Sequence, residues 1–329
     1  MWQALISGTG SYVPENVLSN KDLEQMMDTS DEWIIARTGI SERRIASPDQ
    51  ATSDLAFEAA KIALADAGIT AEELDMIIVC TCTPDYKFPS VACQLQHLLG
   101  CRAISAFDVQ AVCSGFLTGL QVAESFIKSG RFRHVLVVGA DTFSRITDYT
   151  DRSTGILFSD GAGAVVVSQG SELGDIRESA GILHSALHAQ GEHWEMLHVP
   201  GGGSRHPQPT AEHPGTIIMD GRRVFKLAVT AMSESVQQTL EATGYEAHEL
   251  NWLIPHQANA RIMQAIAEQF EFPIEKVINN IRDYGNNSAA TIPLALDLAV
   301  KRGQVQRGDL LMMTAFGGGL VWGSLLLRF

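Results

Sequence analysis

Cysteine is scarce and one-sided: Cys80, Cys82, Cys93, Cys101 and Cys113 all fall in the first 113 positions, and no two of them form a CxxC pair. An odd, clustered set argues against a disulfide framework or a zinc site, and it points to a reducing compartment, with the cytoplasm as default. Basic charge is also short. Twenty-four Lys and Arg against 38 Asp and Glu leave a net charge of −14, which disfavours nucleic acid or an anionic membrane as the main partner. An acidic partner would need a local basic patch. No apolar run approaches the ~18 residues of a membrane span. The opening "MWQALISGTG" lacks the basic start and cleavage site of an export signal. Phosphate-loop and dinucleotide signatures are missing as well: "FGGG" has no following GK[ST], and "DGAGA" (160 to 164) leads into a strand without GxGxxG spacing. The histidines of 184 to 213 have no regular ligand spacing, so no metal is expected.

What is present is a chain of 329 residues, 45% hydrophobic, enough for a large core and for two compact units. Strand-like runs, "MIIVC" (76 to 80), "VLVVG" (135 to 139), "AVVVS" (164 to 168), "WLI" (252 to 254) and "LLMMT" (310 to 314), alternate with helix-length stretches such as 53 to 66 and 226 to 242. That alternation predicts an α/β layered architecture with parallel sheets. The chain also matches itself. "LADAGITAEELDMIIVC" (64 to 80) lies over "LEATGYEAHELNWLIPH" (240 to 256), an offset of 176, with six of seventeen positions identical. Carried further, the offset sets Cys113 opposite "GNNS" (285 to 288) and "VLVVG" opposite "LLMMT". An ordered series of matches predicts two copies of one unit, 1 to 174 and 175 to 329, joined near "SQGSELGDI" (168 to 176). The first copy carries about 18 extra residues near 140 to 158, and "PGGGSRHPQPTAEHPG" (200 to 215) reads as a surface loop in the second.

Three polar residues stand at the carboxyl ends of predicted strands, where α/β sheets bind ligands. Cys113 precedes a helical pattern through Phe116, Leu117, Leu120 and Ala123, so helix N–H groups would stabilise its thiolate. His256 follows "WLIP" and opens a helix-like "HQANARIMQAIAEQF"; Asn286 lies beside Gly285 in "DYGNNSAAT". Each has a plain structural alternative: a small buried hydrophobe, a satisfied core histidine, a turn or cap residue. Together they are a sulfur nucleophile with two neutral hydrogen-bond donors, the set that thioester chemistry needs. Gly317, Gly318 and Gly319 add a turn that lets backbone N–H groups approach a developing oxyanion.

Several motifs in order then carry a resemblance: "TSDEWIIARTGISERR" (29 to 44), "FPSVACQLQ" (88 to 96), "VCSGF" (112 to 116), "DGAGA", "PHQANARI" (255 to 262), "GNNSAAT" (285 to 291) and "FGGG" with "WGS" after it. The chain resembles the β-ketoacyl-acyl-carrier-protein synthase III family of thiolase-fold condensing enzymes. The resemblance implies a five-layered α-β-α-β-α fold of two duplicated βαβαβαββ-type halves. It implies a ping-pong reaction in which Cys113 takes an acyl group from coenzyme A. Malonyl-acyl carrier protein then loses carbon dioxide, with His256 and Asn286 as donors, and the condensation yields a 3-oxoacyl-carrier that starts fatty acid synthesis. The N–H groups of Cys113 and Gly318 would form the second oxyanion hole. Thr29, Trp33, Arg37 and Arg152 would hold coenzyme A, a substrate and not a cofactor. Phe88 would border the acyl pocket of the partner in a homodimer. Gln257, Ala258, Asn259, Ala260 and Arg261 would contact the carrier, with Arg222, Arg223 and Lys226 extending the patch. Three positions depart from the family: Glu268 and Gln269 replace a lysine-rich stretch, and Asn287 stands where threonine is common. The altered helix and the long 184 to 215 region leave room for a relative of specialised metabolism with a different acceptor.

Overall fold

The computed structural model describes residues 1–329. The first half contains β1 (Trp2–Tyr12), the hairpin pair β2 (Asn16–Ser19) and β3 (Glu42–Ile45), β4 (Met76–Cys80), β5 (Ser105–Val109), β6 (His134–Thr142) and β7 (Asp160–Glu172). Its helices are α1 (Asn20–Leu23), α2 (Asp31–Thr38), α3 (Thr52–Ala67), α4 (Val91–Leu98) and α5 (Gly115–Lys128). The second half contains β8 (Gly181–Ala189), the short ribbon β9 (Leu197–His198) with β10 (Ile218–Met219), then β11 (Trp252–Pro255), β12 (Leu310–Gly317) and β13 (Val321–Arg328). Its helices are α6 (Gly221–Thr243), α7 (Ala260–Gln269), α8 (Ile281–Tyr284) and α9 (Thr291–Lys301).

Two sheets result. One runs β1-β7-β6-β4-β5 and the other β11-β12-β13-β8. In the first, β4 pairs in parallel with both β5 and β6; in the second, β11 pairs in parallel with β12; the remaining pairs are antiparallel. The fully parallel sheets expected from alternation are therefore mixed sheets, because each half ends in a hairpin that folds back along its own sheet. The second half also reduces its counterpart of β5 to one bridge, Leu253 with Val277. The connection from β6 to β7 spans 143 to 159, whereas that from β12 to β13 spans only 318 to 320.

Helix burial explains the layering. α5 and α9 are apolar on most sides; Phe116, Leu117, Leu120, Ala123 and Ile127 of α5 are buried, as are Ile292, Leu294, Ala295, Leu296 and Ala299 of α9. Helices of that composition need cover all round, and they lie between the sheets in one cluster with Ile78, Val137, Val165, Leu311, Met313 and Leu325. Helix α3, with Leu55, Ala59 and Ala63 inward, covers the far face of the first sheet; α6 and α7 cover the second through Met232, Val236 and Ile266. The order is helix, sheet, helix pair, sheet, helix. No helix is long and apolar enough to cross a membrane.

Candidate active site

Cys113 lies in a tight turn, Val112–Ser114, directly before α5. Val112 adopts φ +44°, a left-handed conformation that costs a β-branched residue roughly 1–3 kcal/mol. Surrounding structure holds this turn, and with it the sulfur. Cys113 is only 5% exposed. Burial pushes its thiol up to about 12, with the hydroxyl of Ser288 opposing and the charge of Asp141 adding to the rise. The expected helix-stabilised thiolate is thus corrected: desolvation outweighs the helix terminus, and the resting sulfur carries its proton.

His256 directly follows β11, its N–H donating to the Thr314 carbonyl at 2.8 Å. The helix predicted to open here begins later, at α7, where the Asn259 side chain caps the Arg261 N–H at 2.9 Å. Its imidazole is buried, and burial alone lowers its pKa to about 3, so the ring is neutral at physiological pH. Thr291 Oγ1 lies 2.7 Å from Nδ1 and 3.0 Å from the Ser288 carbonyl. Asn286 is held by backbone bonds on both sides, its N–H donating to Leu157 and its carbonyl accepting from Ser159. Its Oδ1 accepts the Ser288 N–H at 2.9 Å, which leaves Nδ2 as the free donor.

Cys113, His256 and Asn286 line one small cavity of about 90 Å³, with Leu157, Phe158, Val224, Phe225 and Phe316 forming much of its wall. Two larger spaces adjoin it. An outer cleft of about 660 Å³ shares Leu157, Met219, Gly221, Phe225 and Asn259 with it, and is lined by Trp33, Arg37, Arg152, Arg222 and Arg261. An apolar pocket of about 430 Å³ shares Cys113, Phe158 and Leu197, and adds Cys82, Phe143, Trp194, Ile217 and Gly318. The thiol therefore stands between a polar entrance and an apolar pocket.

The outer residues are placed less uniformly. The guanidinium of Arg152 lies 4.5 Å over the Trp33 ring, and its Nη1 donates to the Asp28 carbonyl at 3.0 Å. A base stacked on both faces needs about 7 Å, two contacts of roughly 3.5 Å, so Arg152 must swing aside to admit one. Thr29 does not line the cleft, and its Oγ1 is buried without a partner. Gln257 is 1% exposed, its amide donating to Pro255 and Ile278 carbonyls and accepting from Asn280 N–H. It braces the turn instead of offering a carrier contact. Asn259 Nδ2 donates to the Arg37 carbonyl, and Ala260 packs on Gly39. Of the segment 257 to 261, only Arg261 is exposed, its guanidinium over Phe225 at 5.4 Å. Phe88 is 86% exposed.

Sequence reasoning missed Ser288, whose Oγ lies 3.7 Å from Cys113 Sγ, Thr291 beside His256, and the buried Asp141. The internal offset of 176 could have found the turn: it carries 112–114 onto the strained turn Ser288–Ala290, setting Cys113 against Ala289 and not within "GNNS".

Comparison with known proteins agrees across the chain. Residues 107–191 match the family model described as 3-oxoacyl-[acyl-carrier-protein] synthase III, and residues 240–329 match its C-terminal model. A β-ketoacyl-[acyl-carrier-protein] synthase III of Xanthomonas euvesicatoria pv. vesicatoria is 52% identical over 324 residues, 98% of each chain. The crystal structure of the 3-oxoacyl-[acyl-carrier-protein] synthase III of Aquifex aeolicus VF5 superposes with a TM-score of 0.91 at 48% identity, covering 99% of this chain and 100% of that one. A priming β-ketosynthase from the R1128 polyketide pathway has the same TM-score at 34% identity, covering 99% and 96%. These likenesses do not favour the specialised-metabolism alternative, and the layered fold is thiolase-like. The chain belongs to the β-ketoacyl-[acyl-carrier-protein] synthase III family.

Proposed function

We propose that this chain condenses an acyl-coenzyme A primer with malonyl-acyl carrier protein, giving 3-oxoacyl-carrier, carbon dioxide and coenzyme A, and so initiates fatty acid synthesis. The observation that carries the reading is the joint lining of one buried cavity by Cys113, His256 and Asn286 at the inner end of an arginine-bearing cleft. Cys113 Sγ attacks the thioester carbonyl, the carbon–sulfur bond to coenzyme A breaks, and the thiol proton ends on the departing sulfur. A thiol at about 12 keeps that proton until attack. One thioester replaces another, so the acyl group stays activated. The malonyl carbon–carbon bond then breaks, carbon dioxide leaves, and its electron pair forms an enolate at the thioester. This carbanion equivalent attacks the acyl-Cys113 carbonyl and expels the Cys113 thiolate, which takes one proton from water to restore the resting thiol.

Neutral His256 and Asn286 suit the second step. They donate to the enolate oxygen without a carboxylate to repel it. For His256 to donate from Nε2, its Nδ1 must accept the one Thr291 hydroxyl proton at 2.7 Å, which is then withdrawn from the Ser288 carbonyl at 3.0 Å. The N–H groups of Cys113 and Gly318 would hold the oxyanion of each tetrahedral intermediate. The proposed chemistry needs no metal or cofactor.

Trp33, Arg37 and Arg152 would bind coenzyme A, the last by swinging off the indole. Arg261, with exposed Arg222, Arg223 and Lys226, offers a basic surface for an acidic carrier. Exposed Tyr86 and Phe88, 62% and 86% open, supply an apolar surface for a second copy, making the working form a homodimer. Five unpaired thiols suit the cytoplasm.

The test is to supply purified protein with acyl-coenzyme A and malonyl-carrier and to follow 3-oxoacyl-carrier and carbon dioxide. Release of both with at least one primer is expected. No product with any primer from two to ten carbons would refute the reading.

A further inference from the structure

The two halves place the same strained turn at the same point. Val112 (φ +44°) and Ser288 (φ +51°) stand 176 positions apart, and each opens a three-residue turn that runs into a helix, α5 or α9. Cys113 and Ala289 are counterparts on these turns. Their backbone N–H groups nevertheless meet opposite environments. The Ala289 N–H donates to Asp141 Oδ2 at 3.3 Å. Asp141, near the end of β6, has Gly317 as its counterpart at the end of β12, again 176 positions on. A Cβ on Gly317 would sit 2.8 Å from the Cys113 nitrogen and 3.2 Å from its Cβ. A carboxylate of the first half plugs the turn of the second, whereas the glycine that the second half offers in return leaves the Cys113 N–H uncovered.

We propose that Asp141 is a positioning residue for the decarboxylating half of the reaction, and that the exchange of aspartate for glycine at its counterpart, Gly317, is what opens the oxyanion site at Cys113. Asp141 is fully buried with no cation bonded to it. It accepts four more bonds besides that of Ala289, all at Oδ1: Thr81 Oγ1 at 3.0 Å, Cys82 N–H at 2.9 Å, Thr83 Oγ1 at 2.9 Å and the Cys82 thiol at 3.5 Å. A buried carboxylate with this many donors is costly to keep and rigid once satisfied. It ties the loop after β4, one wall of the apolar pocket, to the turn of the other half.

That turn, with Thr291 after it, braces both proposed donors. Ser288 N–H fixes Asn286 Oδ1 at one end, and Thr291 Oγ1 meets His256 Nδ1 at the other. Packing is tight enough to transmit the constraint, since a Cβ on Gly139 of β6 would come 2.3 Å from the Ala289 carbonyl oxygen. Loss of the carboxylate therefore disturbs the donors to the malonyl enolate more than it disturbs Cys113. Bulk at Gly317 does the reverse.

The inference rests on the two half-reactions proposed above, so both are measured separately on the parent, on Asp141→Asn and on Gly317→Ala. Asparagine turns one oxygen into a donor facing other donors. In Asp141→Asn, kcat for malonyl-carrier decarboxylation should fall about 10- to 100-fold, the usual effect of losing a residue that orients another. KM for malonyl-carrier should hold, and acyl loading of Cys113 should fall by less than a tenth of that factor. Gly317→Ala should show the opposite split, with loading hit hardest. Equal losses of both half-reactions in either variant, or Asp141→Asn decarboxylating at the parental rate, would overturn the proposal. If Asp141→Asn does not fold, the Gly317→Ala split alone decides it. A parent that neither loads nor decarboxylates removes the functional reading instead.

Discussion

The inner cavity and the outer cleft differ in almost every physical respect. Cys113, His256 and Asn286 are themselves buried and neutral on short, braced side chains; around Trp33 the groups Arg37, Arg152 and Arg261 are charged, partly exposed and on long side chains. The inner set is ready as it stands, whereas Arg152 must leave Trp33 before a base can stack there. Chemistry should therefore depend steeply on a few inner atoms, and recognition shallowly on many outer ones.

Substitutions should reproduce that gradient. Cys113→Ala is expected to abolish acyl transfer while keeping some malonyl decarboxylation, read by separate assays of coenzyme A release and carbon dioxide. If a folded variant loses decarboxylation outright as well, the division between nucleophile and donors fails. Next in size, His256→Ala and Asn286→Ala should each lower decarboxylation by about 10²- to 10³-fold, the effect of removing one oxyanion donor. Cys113 should still load. In the outer cleft, Trp33→Ala should raise KM for acyl-coenzyme A by about 5- to 30-fold, the loss of one stacking contact worth about 1–2 kcal/mol, with kcat nearly unchanged. A fall in kcat instead would mean that the cleft takes part in the chemistry.

The smallest effect is one of pH. Because burial holds His256 near 3, decarboxylation should cross pH 6.5, the ordinary histidine value, without an inflection. Protonation begins only well into acid. A clear step near 6.5 that disappears in His256→Gln would contradict a buried neutral ring.

Much of this contrast was legible in the sequence, though unevenly. Alternating strands and helices gave the α/β class, and the match of 64 to 80 with 240 to 256 pointed to two related sheets. Cys113, His256 and Asn286 stood out as polar residues ending apolar strands. Their partners did not, because Ser288 and Asp141 matter through contacts between the halves, and Thr291 through a contact with a residue 35 positions away, none of which a local pattern encodes. Gln257 misled for a related reason: its neighbour Arg261 faces solvent, but a turn at the end of β11 rotates Gln257 inward to bond three backbone groups. The protonation of Cys113 was misjudged because helix position is visible in sequence and depth of burial is not.

The most direct test of the central claim is intact-mass measurement and peptide mapping after incubation with acyl-coenzyme A. One acyl group per chain is predicted, carried on Cys113 and removed when malonyl-carrier is added. An unmodified chain, or an acyl group on any of the other four thiols with Cys113 free, would contradict it.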